Sequence, residues 1–437
     1  MLVKWSEWIW GIVLPLLLVS GVWLTLASRG FSLRYLGRAI ALSLRPGRGR
    51  EGEASPFSCL CTALAGTVGT GNIAGVAFAL TLGGPGALVW MWISAAVGTA
   101  IKYAECALAV QYRRKKTDGG VLGGPMVTLT HLPWRRLGLA LGCLYALLEI
   151  CATLTASNLV QSSAISAALS QMAGVPAPLT GALVGGLLLM ILSGGVKSVT
   201  RVSAALVPVM LGLYVLGGSA VLLAHPAETL ASLGELLHQA FDLKSMGAGA
   251  FASMVRIGVT RGCFSNESGT GSAAFSAAVS TADPVRQGLI SATANLWDTG
   301  LICSVTGLAI LASGAMDTGL EGVALTMAAF RTGLGPPGAW IVGVCLVLFA
   351  FSTLPALAFQ GEQALAFLTP SVRLRQLYRL GFSLLAALGC LMSIGPALAA
   401  ADLFNALLIA INLVSLWALP APGLKKGRPF DPEGTSC

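Results

Sequence analysis

Apolar residues gather along this chain into runs of about twenty, each long enough to cross a ~30 Å hydrocarbon core as a helix. Eleven such runs stand at 8–27, 57–82, 86–111, 137–171, 179–195, 202–224, 246–282, 286–314, 338–368, 377–399 and 403–420. The pattern predicts an all-α polytopic membrane protein with about 11 transmembrane helices. Composition points the same way, since charged residues make up 10% of the 437, against about 25% in soluble domains. Hydrophobic residues reach 55% and mean hydropathy is +0.79. The first run is expected to remain as a span rather than be removed as a leader. It is longer than the apolar stretch of a signal peptide, Glu7 interrupts its start, and the basic loop behind it is a stop-transfer signal.

A net charge of +9 raises nucleic acid as a partner, and the distribution of that charge removes it. Arg29, Arg34, Arg38, Arg45, Arg48 and Arg50 follow the first run, and Arg113, Arg114, Lys115, Lys116, Arg135 and Arg136 follow the third. Lys197 with Arg201, Arg286, then Arg373, Arg375 and Arg379, and finally Lys425, Lys426 and Arg428 continue the series. All fall in alternate loops, while the opposite loops hold Lys4, Lys244 and Arg331. By the positive-inside rule the N-terminus lies outside and the C-terminus in the cytoplasm of a bacterial inner membrane. The same loops suit anionic lipid head groups. Of the cysteines, Cys106, Cys143, Cys151, Cys303, Cys345 and Cys390 sit within apolar runs, where the side chain acts as a small hydrophobe. There is no CxxC pair, and His131, His225 and His238 are scattered, so neither a disulfide framework nor a metal or enzyme centre is expected. No cofactor and no obligate protein partner are expected.

Two runs contain clustered glycines. Gly66, Gly69, Gly71 and Gly75 interrupt the second, with Thr67, Thr70 and Asn72 among them. Gly258, Gly262, Gly269 and Gly271 interrupt the seventh. Each glycine weakens a helix by about 1 kcal/mol relative to Ala, so both runs are expected to unwind. Each precedes a similar Pro turn, Gly84-Pro85 or Asp283-Pro284, and each opens a set of five runs. Five is odd, so the sets would enter the membrane from opposite sides, as 5+5 inverted repeats. The expected divisions are 1–54 (first span and basic loop), 55–224 and 245–420 (the repeats), and 421–437 (a cytoplasmic tail). Interrupted helices at matching places in inverted halves mark the substrate site of secondary transporters. The competing reading is close helix packing, which explains Gly181, Gly185 and Gly186 but not the polar residues beside the first cluster.

Ionisable groups within spans are costly and functional by default. Lys102 and Glu105 share a helix face and are expected to pair, or to serve transport. Arg256, Arg261 and Glu267 lie close enough to pair or to gate a cytoplasmic exit, and Glu149, Asp298, Glu362 and Asp402 complete the set. Few carboxylates stand at the two breaks, which favours an oxygen cage for Na⁺ over a proton relay. Ser352 and Thr353, followed by Pro355, offer such oxygens.

These residues resemble the alanine or glycine:cation symporter family, which has the leucine-transporter fold. The likeness spans about 55–415 and rests on Gly66 through Val76, Gly83-Gly84-Pro85-Gly86-Ala87, Trp90-Met91-Trp92, Lys102-Tyr103-Ala104-Glu105 and Gly123-Gly124-Pro125-Met126. Arg261 through Glu267, Pro284 through Gly288, Phe349 through Thr353 and Ala401 through Asn405 extend it. The resemblance implies that amides of Thr70 and Gly71 receive a substrate carboxylate. It implies a Na⁺ site from the Ala65 and Val68 carbonyls with Ser352 and Thr353. It further implies that Asn72 and the Thr67 carbonyl line a second cation position or the substrate. Ile257, Gly258, Gln161, Thr353 and Leu357 would face the substrate. Leu357 stands where the family usually has Trp, and Leu154 replaces an expected Phe. Val127-Thr128 and Ala358-Phe359-Gln360 likewise replace aromatic positions.

The expected function is cation-coupled uptake of a small neutral amino acid such as alanine or glycine, with Na⁺ as the transported partner. The alternatives are a bulkier amino acid, H⁺ coupling or, more distantly, a channel or membrane enzyme.

A reporter fused after Arg48 or Arg114 should read cytoplasmic, and one fused after Glu228 external. An opposite reading at any of these positions would overturn the alternation on which eleven spans rest.

Overall fold

The computed structural model describes residues 2–44, 53–116, 119–392 and 394–423. Arg45, Arg48, Arg50, Lys425, Lys426 and Arg428, with nearly all of the expected 421–437 tail, lie outside the described residues, as do the side chains of Lys4 and Glu7. The described chain is mostly helical, with a two-stranded ribbon, Arg114–Lys115 with Val121–Leu122, among its connections.

The principal helices are α1 (Leu2–Ala27), α2 (Pro56–Thr67) and α3 (Gly71–Gly83). Next come α4 (Ala87–Gln111), α5 (Arg135–Ala173), α6 (Ala177–Ser193) and α7 (Gly195–Ala224). The second half holds α8 (Ala248–Asn266), α9 (Ser272–Ala278), α10 (Pro284–Ala312) and α11 (Gly322–Leu334). It ends with α12 (Pro336–Leu368), α13 (Val372–Gly389) and α14 (Ile394–Ala418). Among the described residues seven helices are long and apolar enough to cross a membrane, and the bent pair α2–α3 makes an eighth. The remaining expected spans fall short of that standard for visible reasons. Helix α6 is shorter, α8 carries Arg256 and Arg261, and α13 carries Arg373, Arg375 and Arg379. The final span opens at Ile394 rather than 403, because Pro396 is tolerated in a first turn where no helical N–H bond is lost.

Helices α4 and α12 form the centre. Their apolar windows are 83% and 72% buried, against 33% for α1 and α7. The outer helices turn Leu26, Met190, Leu216 and Leu223 outward, as a surface solvated by lipid requires. Helix α4 packs on α1, α8, α9 and α10, and α12 packs on α2, α5, α7 and α11. Close approach of α8 to α4 depends on Gly258 and Gly262. A Cβ at Gly258 would stand 2.5 Å from the Ala87 carbonyl oxygen, and one at Gly262 would stand 2.2 Å from Ser94 Oγ. Gly181 and Gly185 serve α6 and α13 in the same way.

One chain of contacts gathers the basic loops at one end of the bundle. Arg286 reaches the Leu42 carbonyl, and Arg113 reaches the carbonyls of Ala278 and Ser280. Gln363 bonds the Val121 carbonyl, Glu362 pairs with Arg379 at 2.6 Å, and Arg379 lies beside Gly195. Loops far apart in sequence thus share one face, as their common charge anticipates.

Candidate functional site

The first break separates α2 from α3, which diverge by 57°. Val68 ends α2 in an extended conformation (φ −76°, ψ 96°). In a continuous helix the Gly69 N–H would donate to the Ala65 carbonyl. Instead it donates to Asn72 Oδ1 at 3.0 Å. The short polar side chain thereby outcompetes the helix, and glycine makes the alternative backbone accessible. A wide π-helical turn over Gly71–Gly75 follows. The carbonyls that close α2 thereby lose their helical N–H partners.

The second break is at Glu267–Gly271, between α8 and α9. Glu267, Gly269 and Gly271 have φ values of 50°, 91° and 89°, left-handed backbone that ends α8. Its freed carbonyls are met by side chains from three other helices. Lys102 Nζ of α4 donates to the Asn266 carbonyl at 2.5 Å, Tyr145 of α5 to that of Thr270 at 2.6 Å, and Asn412 of α14 to that of Gly269 at 2.9 Å. Such partners are what permit irregular backbone at membrane depth.

This placement corrects several expectations. Ile257 and Gly258 lie on intact helix seven and six residues before the cavity-lining Phe264, roughly 9–10 Å along the axis. Ile257 faces Gly83 and Gly258 packs on Ala87, so neither reaches the breaks. Lys102 and Glu105 do not pair: Lys102 caps α8, and Asn412 donates to Glu105 Oε2 at 3.1 Å. Arg261 pairs at 3.0 Å with Asp402 rather than with Glu267. Because α9 runs on to Ala278 beside Arg113, Arg261 stands on the opposite side of the break from that basic loop.

A buried polar knot joins the two breaks. Asp298 lies in another π-helical turn, Leu296–Cys303 of α10. Asn72 Nδ2 donates to its Oδ1 at 2.7 Å, while Ser265 Oγ and Thr299 Oγ1 donate to its Oδ2 at 2.6 and 2.9 Å. Thr306 Oγ1 donates to the Asn72 carbonyl at 2.9 Å and lies 2.8 Å from the Tyr214 hydroxyl. Asn72 is therefore turned to Asp298 and does not line the cavity.

The cavity lies on the other side of the first break. Gly66, Thr67, Gly69 and Gly71 form one wall, and Ser157, Val160 and Gln161 of α5 form another. Phe264 and Glu267, Thr353 and Leu357, and Ala401 and Asn405 close it from α8, α12 and α14. The space open to water centres is ≈ 30 Å³, against roughly 10–15 Å³ needed for one water. The enclosed space is thus larger than a single water requires.

Of the expected site residues, Thr67, Gly71, Gln161, Thr353 and Leu357 meet at this cavity. Thr70 is buried at the start of the wide turn, and Ala65 is buried one turn earlier in α2. Thr353 Oγ1 lies 3.4 Å from the Val68 carbonyl and 2.9 Å from that of Phe349. Ser352 Oγ points to the Phe349 carbonyl at 2.9 Å and to Met210 Sδ at 3.4 Å. Leu154 is not among the lining residues, although its wide turn Thr153–Ser157 supplies Ser157. Ser157, Val160, Phe264, Glu267, Ala401 and Asn405 were not anticipated as lining. All but Val160 and Ser157 stand in the Arg261–Glu267 and Ala401–Asn405 stretches, and those two precede Gln161 by one turn or less.

A sequence profile described as the sodium:alanine symporter family matches residues 1–431. The sodium/alanine symporter AgcS of Methanococcus maripaludis is 36% identical over 98% of this chain and 96% of its own length. A probable sodium/glutamine symporter of Bacillus subtilis, GlnT, is 33% identical over 95% and 87% respectively. The solved structure of MhsT in complex with L-phenylalanine matches with a TM-score of 0.57 at 17% identity, over 86% of this chain and 94% of that one. This last likeness shows the fold alone, which is the leucine-transporter fold.

Replacing Asp298 by Ala would strand the Asn72 amide and the Ser265 and Thr299 hydroxyls, at about 1–3 kcal/mol for each buried group left unpaired. The thermal midpoint of the purified protein should fall by several degrees, whereas Asp298→Asn, which keeps an acceptor, should fall less. An unchanged midpoint in Asp298→Ala would mean that the knot does not hold the breaks together.

Proposed function

The chain belongs to the sodium:alanine symporter family, and from that premise we propose that it couples Na⁺ entry to uptake of a small neutral amino acid, such as alanine or glycine, across a bacterial inner membrane. The family consists of transporters, not enzymes. The observation that carries this reading is a cavity bounded by an unwound segment on one side and by α5, α8, α12 and α14 on the others. Half-helix ends there have opposite polarity. The N-terminus of α3, with the amides of Thr70 and Gly71, suits a carboxylate. The C-terminus of α2, with the carbonyls of Ala65, Gly66 and Thr67, suits a cation.

For Na⁺ the best-supported position combines the Ala65 and Val68 carbonyls with Thr353 and Ser352. Thr353 already touches the Val68 carbonyl, and Ser352 would need to turn its hydroxyl from Met210. A second cation position at the Thr67 carbonyl and Asn72 has weaker support, because Asn72 is engaged by Gly69 and Asp298. The finer architecture follows the same reading. Eleven spans would be arranged as 1–54, two inverted repeats at 55–224 and 245–420, and a tail at 421–437. The end that collects the basic loops would face the cytoplasm, leaving the N-terminus outside.

One observation favours a larger substrate within this function. Leu357 lines the cavity where the family resemblance implies Trp, and a relative is named for glutamine.

In proteoliposomes an inward Na⁺ gradient should drive uptake of labelled alanine, and internal unlabelled substrate should exchange with it. Replacing both Ser352 and Thr353 by Ala should raise the Na⁺ concentration for half-maximal uptake about tenfold or more, in keeping with loss of two of about five oxygen ligands. Uptake that follows a proton gradient and ignores Na⁺ in the unaltered protein would sink the Na⁺ assignment.

Leu357→Trp should favour alanine and glycine over longer side chains, by about fourfold per excluded methylene at ~0.8 kcal/mol each. Competition of labelled alanine uptake by amino acids of increasing length measures this. If alanine, glycine and serine alone compete in the unaltered protein, the cavity is not enlarged.

A further inference from the structure

Glu267 is a cavity-lining residue with one unpartnered carboxyl oxygen. Its backbone is fully used: the N–H donates to the Cys263 carbonyl at 2.8 Å, and its own carbonyl accepts from Thr270 Oγ1 at 2.7 Å. Its side chain is only half used, with Ser272 beside one carboxyl oxygen. Oε2 is buried and has no hydrogen-bond partner among the described residues. No basic side chain there pairs with it: Lys102 is spent on the Asn266 carbonyl, and Arg261 on Asp402. With Arg29, Glu267 is one of two non-glycine residues at positive φ in the described chain, a conformation that costs free energy and persists where its surroundings dictate it. It also caps the C-terminus of α8, where the helix dipole disfavours a carboxylate. Three physical costs therefore converge on one residue, and a positive charge in the cavity relieves the two that concern its carboxylate.

Resting on the amino-acid reading above, we propose that the Glu267 carboxylate is the counter-ion for the α-ammonium of the cargo. The cavity would then hold a zwitterion end to end, with the carboxylate on the amides that open α3 and the ammonium on Glu267. This makes Glu267 a specificity residue that excludes hydroxy acids and simple carboxylates of the same size as the amino acid. Asp298 cannot take this role, because three donors already satisfy it. Glu105 is held by Asn412 and does not line the cavity.

The test uses the purified full-length protein in nanodiscs with saturating Na⁺, labelled L-alanine as probe, and unlabelled L-alanine or L-lactate as competitor. The unaltered protein should prefer alanine by a factor of about 100 or more, because the hydroxyl leaves a buried carboxylate unpaired. Glu267→Gln should weaken alanine about 30-fold or more while leaving lactate nearly unchanged, so the ratio collapses, and Glu267→Asp should restore part of it. Should the Gln variant fail to fold, Glu267→Asn serves, since Asn tolerates left-handed backbone. An alanine-to-lactate ratio unchanged in a folded neutral variant overturns the proposal. So does an unchanged ratio with a shifted Na⁺ or pH dependence, which would make Glu267 a ligand of the coupling ion instead. An unaltered protein that binds alanine normally keeps the amino-acid reading intact in either case, whereas one that binds no amino acid removes both.

Discussion

A peptide carbonyl freed from its helix at membrane depth has no water to turn to, and the whole centre of this protein is arranged around that fact. Both unwound segments survive because other helices bring side chains to them. The Asn266, Gly269 and Thr270 carbonyls receive Lys102, Asn412 and Tyr145 from α4, α14 and α5. At the first break the partners are Asn72 for the Gly69 N–H and Thr306 for the Asn72 carbonyl. Each break is thus conditional on tertiary structure, and neither half of the chain could hold its unwound segment alone.

The same requirement links the breaks to one another. Asp298 accepts from Asn72 beside the first and from Ser265 beside the second. A shift of either segment by more than about an ångström would lose a buried charge-assisted hydrogen bond, of the stronger kind in proteins. The two breaks are therefore expected to move together or not at all. Three π-helical turns, at Gly71–Gly75, Thr153–Ser157 and Leu296–Cys303, stand at this centre and contribute Gly71, Ser157 and Asp298. Wide turns of this kind re-aim side chains within a helix and recur at functional sites.

The existence of both breaks was legible because their cause is local: glycines weaken the helix and Asn72 offers its own backbone an alternative partner. The position of the second break was not legible from glycine density. Gly258 and Gly262 resemble helix breakers in sequence, yet they serve the contact of α8 with α4, and only the neighbouring helix distinguishes the two uses. Charge partners failed for a related reason. Lys102 and Glu105 have the spacing of a helical pair, but a freed carbonyl 164 residues away competes for the ammonium and wins. The basic clusters were informative without any partner, since the sign of a loop is a property of the loop itself. Leu357 could be placed from the family likeness, whereas Leu154, one turn from Ser157, turned out not to line the cavity.

Depth of burial does not separate these carboxylates; an unpartnered oxygen together with a place on the cavity wall does, and Glu105 Oε1 and Asp402 Oδ1 have only the first. Asp298 has three donors within 2.9 Å and needs nothing further. Asp402 and Glu362 have arginine partners. An ionised carboxylate in a low-dielectric interior is stable only with such partners, because its desolvation costs several kcal/mol that hydrogen bonds or an opposite charge must offset. Glu267 has Ser272 beside one carboxyl oxygen but no partner for Oε2, and it differs from the others in one more respect: it borders the cavity. A charge left unpaired beside a cavity is an attraction for whatever enters, and its sign sets what that can be. The carbonyl-rich end of α2 reinforces the negative side, while the amides that open α3 supply the positive one. A cavity polarised in this way favours a zwitterion accompanied by a small cation over either a neutral solute or a lone anion.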